Sequence, residues 1–239
     1  RKPVYGVYST FVQRTYDQLQ QDLCINNNPI TILTFAASVW GMNDVTHLGI
    51  YDIPMMSNIP NLVYLAPTTY EEYIAMLDWS TEQREHPVAI RVPGAVIHGE
   101  KPTKDYGILN KYETVQKGSG AAIIALGTFF GMGKQAAELI EKKTGVKPTL
   151  INPVYITGID EELLESLKKD HKTVVTLEDG ILDGGFGEKI ARFYGDSDMR
   201  TVNFGLKKEF LDRYDANEVL RQNGITPEQI ADRAAELVK

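Results

Sequence analysis

Short apolar and β-branched runs alternate along the chain with longer segments in which apolar residues recur at helical spacing. A run of the first kind predicts a strand, and a repeat of about 3.6 residues predicts a helix. Their alternation predicts an α/β fold, with mainly parallel open sheets flanked by helices. The predicted strands are Val4–Tyr8, Ile30–Ala36, Leu62–Ala66, Val88–Val92, Ala121–Leu126, Thr149–Ile151, Thr173–Leu177 and Thr201–Phe204.

The segment after the first strand has a helix entry signal and an apolar face. Thr10 and Gln13 have the spacing of a capping box, in which two side chains satisfy backbone donors of the first turn. Thr69 and Glu72 repeat that spacing before a later helix. The apolar face of the first helix consists of Val12, Tyr16, Leu19 and Leu23.

The stretch Gly94–Gly120 interrupts the alternation with glycines, a proline and mixed charges. Its one short strand-like run is Tyr106–Leu109. Segments of this composition often join domains. We therefore interpret residues 98–120 as a linker with an entry strand. The linker separates a first α/β unit, residues 1–97, from a second, residues 121–239, and each unit is predicted to contain its own sheet.

Composition narrows the classes of partner and compartment. The net charge of -7 and the pI near 5.2 argue against nucleic acid, because phosphate binding needs a basic face. No apolar run in the sequence reaches the roughly 20 residues that cross a bilayer, so no membrane partner is expected. The single cysteine, Cys24, excludes an internal disulfide and favours a cytoplasmic location.

The residues after the first strand are candidate ligand-binding residues, because open parallel sheets bind ligands beyond the carboxyl ends of their strands. Ser9 and Thr10 would lie at a helix N-terminus, where backbone donors favour an anion. They would equally serve as helix caps without any ligand. Tyr8 and Phe11 bring aromatic rings to this strand end and Arg14 brings a guanidinium, although core packing and solvent exposure would also account for them.

The loop after the second strand contains the best candidate for proton transfer. His47 lies between two glycines among polar side chains, and imidazole titrates near neutrality. Asp44 and Asp52 would orient His47 or bind polar substrate groups, or they are ordinary turn residues. The other three histidines are scattered, so the sequence has no His-x-x-x-His metal-binding spacing.

The second unit contains two glycine-rich loops between predicted strands and helices. Gly127–Gly133 contains G-x-G but lacks the third glycine of a dinucleotide-binding fingerprint. Gly184–Gly187 follows the acidic pair Glu178 and Asp179. Close backbone packing explains these glycines as well as a ligand does, so neither loop identifies a site.

Two segments carry a specific resemblance to a known family. They are PVYGVYSTFVQRTYDQ at Pro3–Gln18 and THLGIYD at Thr46–Asp52. They resemble the 1-deoxy-D-xylulose-5-phosphate synthases, a family within the transketolase group of thiamine-diphosphate enzymes. The resemblance continues through Ile59–Asn61, Leu65–Pro67, Val88–Arg91 and Thr176–Asp179, so it covers essentially the whole chain.

The resemblance implies the domain order and the roles of the candidate residues. Residues 1–97 are similar to the later part of a pyrimidine-binding domain, and residues 121–239 to a transketolase C-terminal domain. Tyr8, Phe11 and Arg14 are then expected around the aminopyrimidine of thiamine diphosphate, with Phe11 against its ring. His47 is expected beside the reactive thiazolium as a catalytic acid or base.

The resemblance also implies that parts of the active site are missing from this chain. The activating glutamate of the family would precede Pro3, and the diphosphate and Mg²⁺ would be held by another domain. The chain alone is therefore expected to be inactive. Its expected partners are the remaining N-terminal part of the same enzyme or a split subunit, in an assembly that is a homodimer acting on small molecules.

The positions implied for acceptor binding differ from the family pattern. Aligned through Thr46 and His47, two phosphate-binding arginines of the family fall on Ala36 and, within Val92–Ala95, on Gly94. A nearby acidic position becomes Asn43, or Asp44 by a one-residue shift, and both are candidate substrate-binding residues. Each charged contact contributes roughly 1.5–3 kcal/mol, so losing two weakens a phosphorylated acceptor about a hundredfold or more. A different acceptor, such as an unphosphorylated one, is expected. The bulky Trp40 in the same loop would reshape that pocket.

We interpret the chain as part of a thiamine-diphosphate enzyme that transfers a two-carbon unit from pyruvate or a ketose to an aldehyde. A transketolase or a 2-oxo acid dehydrogenase beta-subunit is an alternative, which donor preference would separate. A non-catalytic relative that binds a metabolite is another. The retention of Tyr8, Phe11, Arg14 and His47 favours an enzyme, because an inactive site has no need of these four residues together.

Overall fold

The first sheet of this computed structural model, which describes residues 2–92, 94 and 96–238, has four parallel strands. Their order across the sheet is β1-β2-β4-β3, and all pairs are parallel, so the carboxyl ends of the strands share one edge. This confirms the first four predicted strands. The strands are β1 (Val4–Tyr8), β2 (Thr31–Phe35), β3 (Val63–Leu65) and β4 (Val88–Arg91). Pro93 and Ala95, predicted to follow β4, lie outside the described residues.

The helical connection from β1 to β2 is irregular. It consists of a 3₁₀ turn, Ser9–Thr15, a short helix α1, Tyr16–Gln18, and a π-helical turn, Leu19–Cys24. The predicted capping box at Thr10 is wrong, since the residue before the first turn is Tyr8, without a side-chain cap. Thr10 lies within that turn, and its hydroxyl donates to the carbonyl of Thr46 at 3.4 Å.

Two further helices complete the first unit, α2 (Asp52–Ser57) and α3 (Tyr70–Glu82). The hydroxyl of Thr69 accepts from the Glu72 amide at 3.1 Å, as predicted for an N-cap. The Glu72 carboxylate accepts instead from the amide and hydroxyl of Thr68, so only half of the capping box forms there.

The second sheet has five strands in the order β5-β7-β6-β8-β9. Strand β5 pairs antiparallel with β7, and the other pairs are parallel, which confirms the second predicted sheet. The strands are β5 (Glu113–Gln116), β6 (Gly120–Ala125), β7 (Thr149–Asn152), β8 (His171–Ile181) and β9 (Arg200–Leu206). The helices are α4 (Phe130–Thr144), α5 (Glu161–Leu167), α6 (Phe186–Tyr194), α7 (Ala216–Gln222) and α8 (Pro227–Val238).

The entry strand of the second unit lies later than predicted. Tyr106–Leu109 forms a turn, because the carboxylate of Asp105 accepts from the Gly107 amide at 2.8 Å and its carbonyl from the Ile108 amide at 3.3 Å. The entry strand is β5, whose residues alternate between exposed and half-buried. An edge strand of this kind has too few apolar residues to be detected from the sequence.

The two units pack against each other through a shared core. One buried cluster contains Ile53, Met56 and Tyr64 from the first unit together with Ile124 and Phe186 from the second. Backbone bonds continue this contact beside β3, where the Ala66 amide donates to the Val154 carbonyl at 2.8 Å. The second unit therefore supports the elements that follow the strands of the first.

Candidate functional site

Two glycines fold the loop after β2 back over the end of that strand. A Cβ atom on Gly41 would lie 2.2 Å from the carbonyl oxygen of Ala36, and one on Gly49 would lie 2.1 Å from it. The Ser38 amide donates to the Gly49 carbonyl at 2.8 Å and closes the loop. Only glycine permits so close a backbone approach at these two positions. The glycines that bracket His47 are thus required by the shape of the loop.

His47 is held by two neighbouring side chains of the same loop. Its Nδ1 lies 3.0 Å from Oδ1 of Asp44 and 2.8 Å from Oγ1 of Thr46. The Thr46 hydroxyl also donates to Oδ1 of Asp44 at 2.5 Å. Hydrogen bonds from Thr46 and then from His47 lower the pKa of the Asp44 carboxyl. Because a carboxylate only accepts, we assign the proton to Nδ1, which leaves Nε2 of His47 as a proton acceptor.

Two of the predicted cofactor-binding residues, Tyr8 and Phe11, pack near His47, and the third, Arg14, packs on Phe11. The rings of Phe11 and His47 meet edge to face, with centroids 5.1 Å apart, and the Tyr8 ring lies 6.2 Å from Phe11 and 6.5 Å from His47. The guanidinium carbon of Arg14 lies 4.8 Å from the Phe11 ring centroid. Tyr8 is 47% exposed, so part of this aromatic surface is open to a ligand. We call Tyr8, Phe11, Arg14 and His47 together the aromatic cradle.

A cavity of about 210 Å³ adjoins the cradle between the first turn after β1 and the His47 loop. Ser9 lines it, and the Ser9 hydroxyl oxygen is buried without a hydrogen-bond partner among the described residues. A buried hydroxyl without a partner is costly, so Ser9 leaves an unsatisfied polar group beside this cavity. The remaining lining residues are Thr10, Gln13, Val45, Thr46, Leu48, Tyr51, Asp52, Met55 and Phe210.

The two predicted substrate-binding residues differ in their environment. Asp44 bonds to the imidazole, whereas Asn43 is exposed and held by the second unit. The Asn43 carbonyl accepts from the Arg213 amide at 2.6 Å, and its side-chain amide donates to the Tyr214 carbonyl at 3.4 Å. The Val45 amide donates to Oδ1 of Asp212 at 3.1 Å. The segment 212–214 thus supports the His47 loop, which the sequence did not indicate.

Asp52 does not orient His47, contrary to one of the three roles that the sequence left open for it. Its carboxylate is buried and pairs with Arg91, with Nε–Oδ2 and Nη2–Oδ1 distances of 2.8 and 3.1 Å. Arg91 also bonds to Asp179 of the second unit, and Tyr64 donates to Asp52. Burial opposes the Arg91 charge, but the two carboxylates outweigh burial and raise the pKa of Arg91 well above its ordinary value. This buried network joins the two units directly below the loop.

The glycine-rich loops of the second unit are explained by close packing. Both oxygens of Glu178 accept from the first amides of α6, those of Phe186 and Gly187, at 2.8 and 2.7 Å. A Cβ atom on Gly185 would lie 2.5 Å from this carboxylate. Gly133 similarly allows α4 to approach Ala125, since its Cβ atom would lie 2.6 Å from the Ala125 side chain. Burial raises the pKa of Glu178 to about 7.

Residues 2–92, 94 and 96–238 contain neither a cluster of metal-binding side chains nor a membrane-spanning helix. That part of the chain has no group of three or more His, Cys, Asp or Glu side chains placed to hold a metal ion. No helix in the same ranges combines the length and apolar character needed to cross a membrane.

Comparisons with protein families and curated proteins agree along the chain. The transketolase pyrimidine-binding domain matches residues 1–96, and the transketolase C-terminal domain matches residues 110–230. A 1-deoxy-D-xylulose-5-phosphate synthase of Clostridium tetani is 34% identical over 240 residues, covering 99% of this chain and 38% of the relative. One of Clostridium perfringens is 36% identical over 243 residues, covering 99% and 39%. The chain thus spans less than two fifths of the length of these relatives.

Solved structures share the fold at low sequence identity. A "split gene transketolase, inactive beta4 tetramer" has a TM-score of 0.85 at 20% identity, over 100% of this chain and 77% of that one. A transketolase from Pichia stipitis has a TM-score of 0.78 at 19% identity, over 98% and 34%. Both confirm the arrangement of two sheets flanked by helices.

Proposed function

This chain belongs to the transketolase family, and on that premise we propose that it is the pyrimidine-binding and C-terminal portion of a thiamine-diphosphate-dependent transferase. The enzyme transfers a two-carbon unit from pyruvate or a ketose to an aldehyde. The observation that carries this proposal is the packing of His47 on Phe11, with Tyr8 and Arg14 beside them. The two domains of the proposal are residues 1–97 and 121–239, joined by residues 98–120.

The aromatic cradle suits the aminopyrimidine ring of thiamine diphosphate. Aromatic rings pack well on a flat heteroaromatic ring, which is the role we assign to the half-buried Phe11, with Tyr8 beside it and Arg14 over its ring. Ser9, whose buried hydroxyl has no partner among the described residues, lines the adjoining cavity of about 210 Å³. When bound, the cofactor supplies the carbanion that the transfer needs. Mg²⁺ belongs, in this proposal, to the portion of the enzyme that binds the diphosphate.

We assign proton transfer at the substrate to Nε2 of His47. The Asp44 carboxylate holds Nδ1–H at 3.0 Å, which fixes the ring orientation and leaves Nε2 as the accepting atom. Asp44 is therefore a positioning residue in this proposal. The exposed Asn43, which the second unit holds in place, is assigned to contact with the substrate.

The acceptor is proposed to lack a phosphate. The two positions at which the family resemblance expects phosphate-binding arginines are Ala36 and Gly94. Arg91 is the arginine nearest to Gly94 along the chain. Its guanidinium is fully engaged by Asp52 and Asp179 and is therefore unavailable to a phosphate. A phosphorylated acceptor would thus lose two charged contacts, worth about a hundredfold or more in affinity.

We further propose that the active enzyme combines this chain with a complementary polypeptide segment. The chain spans less than two fifths of the length of the curated relatives compared above, and one of its fold neighbours is a split-gene transketolase. The activating glutamate, the diphosphate site and Mg²⁺ are assigned to the complementary segment, with a homodimer as the cytoplasmic assembly. This chain alone is then inactive.

Donor consumption by the assembled enzyme tests this function. Pyruvate turnover with thiamine diphosphate and Mg²⁺ is expected, with glyceraldehyde used better than glyceraldehyde 3-phosphate. Turnover of a ketose phosphate in place of pyruvate would favour a transketolase, and decarboxylation coupled to a lipoyl acceptor a 2-oxo acid dehydrogenase beta-subunit. If the assembly had no measurable affinity for thiamine diphosphate, a non-catalytic metabolite-binding protein would replace the proposal.

A further inference from the structure

A second cavity, of about 360 Å³, opens at the carboxyl edge of the first sheet. Five of the described residues line it: Ser38, Trp40, Gly94, Ile97 and Thr128. They come from the segment after β2, the segment after β4 and the turn before α4 of the second unit. We call this cavity the Trp40 pocket. Its volume is within the range of small-molecule sites in proteins.

The surface of the Trp40 pocket is almost entirely apolar. Trp40 is 42% exposed, and its ring is fixed edge to face on the buried Phe129, with centroids 5.4 Å apart. Ile97 is 47% exposed. The hydroxyl of Thr128 is already used, since it donates to Asp179 at 2.5 Å. No charged side chain is among the described residues that line this pocket.

The pocket lies beside the aromatic cradle. In the sheet order, β2 lies between β1 and β4, and neighbouring strands are about 4.8 Å apart. The cradle residues follow β1 and β2, whereas the pocket residues follow β2 and β4. Trp40 and His47 also belong to one loop, whose ends meet at the bridge between Ser38 and Gly49. A molecule whose reacting carbon faces His47 can therefore extend a substituent into the pocket.

Building on the proposed function, we propose that the Trp40 pocket binds the side chain of the acceptor, and that this acceptor is an aldehyde with an uncharged, ring-sized apolar substituent. A phosphate there would lose its water and gain no positive partner, which is strongly unfavourable. An apolar group would cover exposed faces of Trp40 and Ile97, which favours binding. The fixed Trp40 ring offers a flat surface to such a group.

Arginine introduced at Gly94 should reverse this preference. Among the described residues, the Trp40 carbonyl oxygen, at 3.9 Å, is the one atom that a Cβ atom on Gly94 would find within 4 Å, so the site has room for a side chain. In the assembled enzyme, the ratio of kcat/KM for cyclohexanecarboxaldehyde to that for glyceraldehyde 3-phosphate is expected to exceed ten. Gly94→Arg should lower this ratio at least tenfold. Gly195→Arg, the same change at an exposed glycine after α6, should leave it unchanged.

Binding can also be measured without turnover, through the fluorescence of Trp40. The difference in emission between the wild-type assembly and its Trp40→Phe variant isolates this side chain. Titration with cyclohexanemethanol, an unreactive analogue, should change the difference signal saturably, whereas glycerol 3-phosphate should not. A saturable response to glycerol 3-phosphate alone would overturn the proposal.

The two measurements separate this proposal from the proposed function. Pyruvate turnover with preference for glyceraldehyde 3-phosphate, and no Trp40 response to cyclohexanemethanol, would overturn the apolar acceptor and leave the transferase intact. A saturable Trp40 response without any thiamine-diphosphate-dependent turnover would support the pocket as an apolar site and overturn the transferase.

Discussion

The imidazole of His47 packs edge to face on Phe11, with ring centroids 5.1 Å apart and planes inclined by 74°. The two residues are 36 positions apart in the sequence and follow adjacent strands. The residue to which we assign proton transfer is thereby placed against the phenylalanine ring to which we assign stacking on the cofactor. The second unit supports this contact from behind, through Arg213, Tyr214 and the buried Arg91 network.

Replacement of His47 by alanine should abolish most activity without unfolding the protein. General acid–base groups contribute about 10²–10⁴ in rate, so kcat of the assembled enzyme should fall at least a hundredfold. Affinity for thiamine diphosphate, measured by titration calorimetry, should change little because Phe11 remains. His86→Ala, at a histidine outside the cradle, is the matched control and should retain activity. Equal losses in the two variants would show that His47 has no special role.

Addition of a methyl group at Gly49 should displace the His47 loop. The new Cβ atom would lie 2.1 Å from the Ala36 carbonyl, and relief of such overlap costs about 1–3 kcal/mol. Chemical denaturation should show that destabilisation in Gly49→Ala, and turnover should fall with it. Gly131→Ala is the control, since its Cβ atom meets nothing within 4 Å in α4. It should keep or raise the free energy of unfolding, by up to about 1 kcal/mol.

Most of the fold and the members of the cradle could be predicted from the sequence, because they depend on patterns among residues that are close together in the chain. Apolar runs mark the strands, and parallel strands bring Tyr8 and the His47 loop to one edge. The irregular turns at Ser9–Thr15 and Leu19–Cys24 escaped prediction, since an apolar repeat does not separate 3₁₀ and π turns from an α-helix. Strand β5 escaped because it is a polar edge.

The buried network around Arg91 also escaped prediction. Its members lie far apart in the sequence, and a carboxylate such as Asp52 in a polar loop looks like a turn residue until the second unit covers it. The support of Asn43 by Arg213 has the same cause, since the two residues are 170 positions apart. Contacts between units depend on how the sheets pack, which no local pattern encodes.

Replacement of Arg91 by methionine should strongly destabilise the protein. It would leave the buried carboxylates of Asp52 and Asp179 without their cation, and breaking a buried pair in this way costs about 3–5 kcal/mol. Urea denaturation of the 239-residue chain measures this change. Lys208→Met breaks the exposed pair with Asp183 and should have no measurable effect. A stability loss of similar size in both variants would contradict the importance assigned to the network.

Glu178 should make stability depend on pH between about 4.5 and 7. Burial raises its pKa in the folded chain to about 7, above the ordinary value of 4.5. The folded state then holds a proton that the unfolded chain has released, so this contribution is fully present below pH 4.5 and is lost as the pH rises through 7. The shift in the pKa corresponds to a change in the free energy of unfolding on the order of 3 kcal/mol.

Comparison of the wild type with Glu178→Gln isolates that contribution, because all other titrating groups are common to both. The free energy of unfolding of the wild type minus that of Glu178→Gln should fall as the pH rises from 5 to 7.5, since only the wild type loses stability at this site. A difference that stays constant over this range would show that the folded state does not retain the extra proton.

Pyruvate turnover by this chain tests the central claim most directly. The measurement compares the 239-residue chain alone with the same chain mixed with its complementary segment, both with thiamine diphosphate and Mg²⁺. We predict that the chain alone shows no turnover and that the mixture shows cofactor-dependent turnover. The His47→Ala variant should lose the turnover of the mixture. Turnover by the chain alone at the rate of the mixture would contradict an active site divided between this cradle and a second polypeptide.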